Sequence, residues 1–365
     1  MSDASESHNR NVWTTWKSKE DNFQACKPIR SMLIYGEYPK ELPSVSVIIP
    51  AYKKLKGLKA ALDSAVSQDY DLPYEVIVAD DSGFDVEIDS LMNEYCHKYP
   101  NILYYRNEKN LGVFGNMNRT CELCRSEWYC LLHDDDRMKP GYLKTCMSAV
   151  NSLPANVGMI GIYYEAIDSN TNEVKRTYID RLVDLFVRFR NNKPIYMSLR
   201  DNIKHIFIQP CCSFINRDKF VELGGFNGAF MPSGDFVLAA KMNHYYSTVF
   251  LPVILAYRGV GTNVSLNQSN CNGSIIAAYN LSFELAKELG LSPGKQKRKA
   301  SIAAVIAEIG IKGYNDLDYS DIKQSLGMKK IYNYGFIISL INIYSKLSWG
   351  LLLLRTTSPK GPAHE

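Results

Sequence analysis

Short apolar runs alternate with amphipathic segments through the first part of the chain. Near-continuous apolar runs occupy Ser44–Pro50, Tyr74–Ala79, Ile102–Arg106 and Trp128–Leu132. Such runs are typical of strands that are buried on both faces of a parallel sheet. Between them, apolar residues recur at helical spacing over three segments: 55–68, 85–98 and 114–124. Strands that alternate with helices predict right-handed βαβ units, and therefore an α/β fold built on a mostly parallel sheet.

The pattern is less regular after residue 140. We predict a helix over 141–151 and further strands over Val157–Tyr164, Gln209–Ile215 and Phe250–Tyr257, with an irregular polar stretch over 165–208. Two later helices are predicted at 274–289 and 300–311. Ser274 is placed to cap the first of these helices and Gly290 to end it, and a basic loop over Gly294–Lys299 connects the two.

Composition indicates a folded protein. The 365 residues are enough for one large domain with an appendage or for two modest domains, and 46% of them are hydrophobic. A formal net charge of +4 is too small to indicate a nucleic-acid partner, so we expect none. Nine scattered cysteines, and a polar 1–10 stretch without a secretion signal, favour a cytoplasmic protein.

Three consecutive aspartates, Asp134–Asp136, directly follow the predicted strand at Trp128–Leu132. An isolated acidic run is more often a solvated turn. However, adjacent carboxylates repel one another, and a divalent cation would relieve that repulsion. Mg²⁺ and Mn²⁺ usually bind through one or two carboxylates together with substrate phosphates. Pro50 and Asp81 also fall at strand ends, where parallel sheets bind ligands.

The order of several short motifs resembles that of a family 2 glycosyltransferase of the GT-A fold, of the kind that builds bacterial cell-envelope polysaccharides. The motifs are Val45–Tyr52, Ala61–Gln68, Glu75–Ser82, Asn110–Gly112, Asn118, Leu132–Asp136, Gly224–Asn227 and Ser233–Phe236. Each motif alone is weak, but their ordered sequence is specific. The resemblance implies an inverting enzyme with a Rossmann-like, mostly parallel sheet that is flanked by helices.

The resemblance also divides the chain. It implies an N-terminal extension over 1–43, a nucleotide-sugar-binding half over 44–150 and an acceptor-binding half over 151–268. A C-terminal helical region would occupy 269–365. The expected partners are a nucleotide-sugar donor and a glycan or lipid-linked saccharide acceptor.

The resemblance implies donor contacts at the ends of the first strands. The donor would be a UDP-sugar, with Tyr52 stacked on its base beside the backbone of Pro50. Asp81 would accept the imide N–H of a uracil-like base, while Asp80 caps the following turn. Hydrophobic packing of Tyr52, and turn capping by both aspartates, are the alternatives.

The register of the acidic triplet leaves two assignments open. Anchored on Pro140, Asp134 lies near the ribose and Asp135 binds Mn²⁺ or Mg²⁺. A strict D-x-D register instead assigns the metal to Asp134 and Asp136. We keep Asp135 as the main metal ligand and Asp136 as the second.

The base and the phosphate contact come from later motifs. Asp235 stands at the family's base position and would deprotonate the acceptor hydroxyl, although helix capping explains an Asp there equally well. Arg258 would bind phosphate. Two departures weaken the match: Gly234 replaces a usual Glu, and Val260 replaces a His that can contact the metal. His133 is either a neighbour of the metal ligands or simply a strand-end residue.

The last apolar segment, Ile331–Leu354, contains only one charged residue, Lys346. It is long enough to span a bilayer, but a narrow polar stripe favours a helix lying in the membrane interface on the cytoplasmic face of the plasma membrane. Burial in the core and packing in an oligomer are the other readings.

Two further functions compete with glycosyl transfer. A catalytically degenerate scaffold or glycan-binding subunit would account for the departures at Gly234 and Val260. A sugar-phosphate nucleotidyltransferase should carry a glycine-rich phosphate loop after the first strand, and Ala51–Leu58 offers only Gly57.

Overall fold

The computed structural model describes residues 10–175, 193–204, 208–209, 212–260 and 267–312, together with 319, 322 and 326. The strands within these residues are β1 Ser31–Tyr35, β2 Val45–Ala51, β3 Tyr74–Asp80, β4 Ile102–Asn107, β5 Trp128–Leu131, β6 Arg137–Met138, β7 Val157–Asp168, β8 Val174–Lys175, β9 Ile195–Tyr196, β10 Ser213–Asn216 and β11 Ser247–Val260. The α-helices are α1 Arg10–Trp13, α2 Leu55–Val66, α3 Val86–Lys98, α4 Gly112–Leu123, α5 Tyr142–Ser152, α6 Leu199–Asn202, α7 Arg217–Glu222, α8 Gly234–Tyr245, α9 Gln268–Glu288 and α10 Pro293–Lys312. Short 3₁₀ helices lie at Asn22–Ala25 and Gly228–Phe230.

The strands form one mixed sheet in the order β1-β4-β3-β2-β5-β10-β7-β11-β6, with β8 paired to β7 and β9 to β11. Strands β4, β3, β2 and β5 run parallel to one another, and β7 and β11 form a second parallel pair. Strand β10 is antiparallel to both of its neighbours and joins the two parts. The predicted α/β fold with a parallel central sheet is therefore confirmed.

Helices bury both faces of the sheet. Val47 and Ile48 are successive residues of β2 and belong to different hydrophobic clusters, because successive side chains of a strand point to opposite faces. Leu62 of α2 packs in the Val47 cluster, which α3 and α5 also join, and Phe220 of α7 packs in the Ile48 cluster with α4 and α8. This two-sided burial accounts for the near-continuous apolar runs in the sequence.

The segment before β2 packs against later parts of the chain. Trp13 and Trp16 are buried in a cluster with residues of α8 and α9, and the Trp13 ring lies 5.4 Å from that of Phe230. Strand β1 adds an antiparallel edge to β4.

The C-terminal helices differ from prediction at their starts. Helix α9 begins at Gln268, and the side chain of Asn267 accepts the backbone N–H of Asn270, so the assignment of Ser274 as the N-cap is wrong. The predicted end is confirmed, because Gly290 has φ +66° and donates its N–H to the carbonyl of Lys287.

The predicted basic loop at 294–299 is also wrong, because these residues form the first turns of α10. Pro293 suits the first position of a helix, and lysine, arginine and glutamine are good helix formers. None of the helices in the described part of the chain combines the length and apolar character needed to cross a membrane. The Ile331–Leu354 segment lies outside the described residues.

Candidate active site

A cavity of about 460 Å³ opens at the carboxyl ends of β2, β3 and β5. All the residues to which the sequence assigned a site role line it: Pro50, Tyr52, Asp81, Asp134, Asp135, Asp136, Asp235 and Arg258. The parallel pairing of β2 with β3 and β5 brings the first six together, because the ends of neighbouring parallel strands meet at one edge. Their individual roles remain predictions.

Two glycines allow neighbouring elements to pack directly against the backbone of the acidic loop. A Cβ atom at Gly57 of α2 would lie 2.3 Å from the carbonyl oxygen of Asp134, and one at Gly259 of β11 would lie 2.2 Å from that of Asp135. Any side chain at these positions would displace the loop backbone. The loop is therefore clamped between a helix and a strand that are distant in sequence.

Each aspartate of the triplet has its own hydrogen-bond donor. Asp134 accepts the backbone N–H of Tyr52 at 3.0 Å, and Asp136 accepts that of Gly259 at 2.9 Å. The ammonium of Lys54 lies 2.7 Å from Asp135 and 3.4 Å from Asp134. Burial, opposed by Lys54, raises the pKa of Asp134 to about 6. These contacts exclude the reading of the triplet as a solvated turn.

His133, Asp135 and Asp136 form a group that fits a divalent cation. Their potential ligand atoms all lie within 4.8 Å of one another. The Nε2 atom of His133 is buried and has no hydrogen-bond partner among the described residues. Burial lowers the pKa of His133 to about 4, so the imidazole is neutral at physiological pH and can offer a nitrogen lone pair.

The sequence alone does not indicate that His133 belongs to this group of potential metal ligands. The position of His133 beside the triplet was visible, but its proximity to both carboxylates depends on how the loop turns after β5. Val260, which replaces the usual histidine, is 4% exposed at the end of β11. An imidazole is thus available near the acidic loop although the expected position lacks one.

Asp81 has a structural task in addition to lining the cavity. Its carboxylate accepts the N–H groups of Leu111 and Gly112 at 2.8 to 3.0 Å and the side-chain amide of Asn107 at 2.9 Å. These three donors use most of the lone-pair positions that a carboxylate offers, which number about four. A nucleobase that binds Asp81 must therefore use the remaining position or replace one of these donors. The neighbouring Asp80 accepts the N–H of Ser82, as expected for a turn cap.

Tyr52 lines the cavity and presents its ring to solvent. It is 45% exposed, which is unusual for a tyrosine with only a packing role. Pro50 lies beside it within β2 and pairs with Ala79 of β3. The exposed ring next to a rigid strand end is available for stacking on a planar ligand.

Asp235 also lines the cavity, in the first turn of α8. Since α8 begins at Gly234, the N-cap position belongs to Ser233, not to Asp235. Burial raises the pKa of Asp235, while the N–H of Phe236 at 2.8 Å and the charge of Arg258 act in the opposite direction. A partly buried carboxylate with a raised pKa is a stronger base than an ordinary aspartate.

Arg258 projects from β11 and is supported by an aromatic ring. Its guanidinium lies 5.6 Å from the ring centroid of Tyr164 and donates a hydrogen bond to the Tyr164 hydroxyl at 3.2 Å. The tyrosine ring and hydroxyl orient the planar guanidinium along the cavity wall, where the guanidinium can donate hydrogen bonds to phosphate oxygens.

Packing explains why a glycine stands at position 234. A Cβ atom there would lie 2.5 Å from the ring of Phe114, which stacks on Phe226 at 5.2 Å. The aromatic pair fills the space that a side chain at 234 would need. The missing Glu is thus a consequence of local packing and leaves the neighbouring Asp235 in the cavity wall.

Comparisons with known proteins agree with this architecture. Residues 46–224 match the family model described as glycosyl transferase family 2. An uncharacterized glycosyltransferase of Rickettsia felis is 26% identical over 200 residues, which make up 55% of this chain and 31% of the relative. The GalNAc(5)-diNAcBac-PP-undecaprenol beta-1,3-glucosyltransferase of Campylobacter jejuni is 32% identical over 118 residues, 32% of this chain and 37% of the relative. The chain spans about a third of the length of these two relatives.

A solved structure extends the likeness to most of the chain. The mannosyltransferase PcManGT of Pyrobaculum calidifontis, in complex with GDP-Man and Mn²⁺, matches with a TM-score of 0.52 at 14% identity. The match covers 96% of this chain and 97% of the other, and at this identity it concerns the fold. The chain therefore has the fold of a GT-A glycosyltransferase. The part that resembles glycosyl transferase family 2 is residues 46–224, just under half of the chain.

Proposed function

We propose that the protein is an inverting, metal-dependent glycosyltransferase that uses a nucleotide-sugar, most simply a UDP-sugar. The observation that carries this proposal is the single cavity that holds both the acidic loop and Asp235. The cavity lining offers a stacking ring, a metal-ligand group and a cationic fork, together with a partly buried carboxylate. A degenerate scaffold would have no need to keep all of these groups in one cavity.

The chemistry that we propose is a single displacement. The acceptor hydroxyl oxygen forms a bond to the anomeric carbon while the bond from that carbon to the diphosphate breaks. The hydroxyl proton passes to a carboxylate oxygen of Asp235, and the nucleoside diphosphate departs with the bonding electron pair. Attack from the face opposite the leaving group inverts the configuration at the anomeric carbon.

His133, Asp135 and Asp136 would hold the metal, while Arg258 contacts phosphate oxygens. When bound there, a divalent cation stabilises the charge on the departing diphosphate. Carboxylate ligands suit both Mg²⁺ and Mn²⁺, and the neighbouring imidazole favours the transition ion of the two, so we propose Mn²⁺. Asp134 would lie near the ribose, held by the N–H of Tyr52.

The acceptor that we propose is a glycan or lipid-linked saccharide of the cell envelope. The Campylobacter relative supports this choice, since its name describes transfer to an undecaprenyl-diphosphate-linked saccharide. We propose that the enzyme meets this acceptor at the cytoplasmic face of the plasma membrane. We propose peripheral contact there through 331–354.

A donor screen tests the proposal. The melting temperature should rise with UDP-sugars and Mn²⁺, because a ligand that binds only the native state stabilises it. GDP-sugars should have a smaller effect, and EDTA should abolish the shift. A larger rise with GDP-sugars would reject uridine as the base, and no rise with any nucleotide-sugar would reject the enzymatic proposal in favour of a scaffold.

A further inference from the structure

Lys54 is a cavity residue that the proposed function leaves without a task. It follows β2 by three residues and precedes α2, and its side chain is 27% exposed. The adjacent Lys53 has φ +55° and places its ammonium 5.1 Å from the centre of the Tyr52 ring. The two lysines therefore act in different places, and only Lys54 contacts the acidic loop within the described residues.

The ammonium of Lys54 forms an ion pair with Asp135, one of the proposed metal ligands. It lies 2.7 Å from Oδ2 of Asp135 and 3.4 Å from Oδ1 of Asp134, and these carboxylates are only 10% and 9% exposed. A cation that shares Asp135 would lie close to this ammonium and be repelled by it. The repulsion acts at a site with little solvent to screen it.

We propose that Lys54 couples metal binding to donor binding. Its ammonium competes with the metal for Asp135 and moves to the donor diphosphate when the donor binds. This inference rests on the proposed function. The donor diphosphate brings negatively charged oxygens close to the acidic loop. The Lys54 ammonium can pair with these oxygens when it leaves Asp135. Lys54 thus weakens binding of the metal alone and strengthens binding of metal and donor together.

The test is a calorimetric titration of Mn²⁺ into the full chain, with and without UDP. Removing the charge in Lys54→Met should strengthen binding of Mn²⁺ alone by about tenfold, the effect of one close charge pair at a partly exposed site. The same variant should show a smaller gain in Mn²⁺ affinity on addition of UDP. Lys54→Arg, which keeps the charge, should retain most of the wild-type coupling.

Lys56→Met is the matched control. Lys56 is exposed and donates to the carbonyl of Asn170 at 3.2 Å, so its loss removes one charge two residues after Lys54 without touching the acidic loop. This variant should bind Mn²⁺ as wild type does. If Lys54→Met fails to fold, Lys54→Gln replaces it.

The outcomes separate the two proposals. Unchanged or weaker binding of Mn²⁺ alone to Lys54→Met would overturn the role of Lys54. Failure of the wild type to bind UDP with Mn²⁺ would overturn the proposed function. A tighter Mn²⁺ site in Lys54→Met would still support the competition for Asp135 in that case.

Discussion

Replacement of Asp235 by asparagine should reduce the turnover number for sugar transfer by about 10³-fold, within the range of 10² to 10⁴ that a positioned general base supplies. Asparagine preserves the size of the side chain and can still accept the N–H of Phe236, but it cannot take a proton from the acceptor. The affinity for UDP should stay within about twofold of wild type, because Asp235 is not among the residues proposed to contact the base, the ribose, the metal or the phosphates. Steady-state kinetics and calorimetry with UDP measure the two effects.

Asp218→Asn is the control for this variant. Asp218 is the second residue of α7, as Asp235 is of α8, but it is exposed and lies outside the cavity lining. Both variants remove the same favourable interaction with a helix N-terminus, so Asp218→Asn should retain full activity. Undiminished transfer by Asp235→Asn would reject the base assignment.

The pH profile provides a second check on Asp235. A base works only when it is ionised, so the rate should rise with pH as the Asp235 carboxyl loses its proton. Because burial raises the pKa of Asp235, the midpoint of this rise should lie above that of an ordinary aspartate. Asp235→Asn should lack this acidic limb.

Replacement of Asp135 by asparagine should reduce sugar transfer by about 100-fold or more, because a metal ion contributes several kcal/mol to stabilising the leaving group. It removes a negative ligand from the group formed with His133 and Asp136. The remaining activity should no longer depend on added Mn²⁺. UDP release from a UDP-sugar, measured over a series of Mn²⁺ concentrations, provides the readout.

The wild type supplies the comparison for Asp135→Asn. EDTA should suppress wild-type activity to about the level of the variant and leave the variant unchanged. A variant that still responds to Mn²⁺ as wild type does would show that Asp135 is not the main metal ligand. The D-x-D register with Asp134 and Asp136 would then be preferred.

Much of the nucleotide-side architecture could be predicted from the sequence. Buried parallel strands have the simplest sequence pattern, so β2 and β3 were placed to within one residue. Residues that follow such strands must meet at one sheet edge, which is why the sequence predicts that Asp81 lies near the acidic triplet. The Asp235 position needed the family motif as well, since it lies on a helix from the other half of the sheet.

The features that could not be predicted from the sequence depend on contacts between distant segments of the chain. Strand β1 is an exposed edge without regular alternation, so its pairing with β4 left no signal in the sequence. The start of α9 lies in polar residues, where Asn267 is the cap instead of Ser274. Lys54 and His133 lie beside the acidic carboxylates because the loop after β5 folds against the end of β2, and the sequence pattern does not indicate this contact.

The central claim is that the cavity binds a nucleotide diphosphate through a metal held by the acidic loop. Titration of UDP into the wild-type protein, in Mn²⁺ and again in EDTA, tests it most directly. We predict measurable binding in Mn²⁺ and a loss of at least about tenfold in affinity in EDTA, or about 1.4 kcal/mol. Equal affinity under both conditions, or no binding in either, would contradict the account.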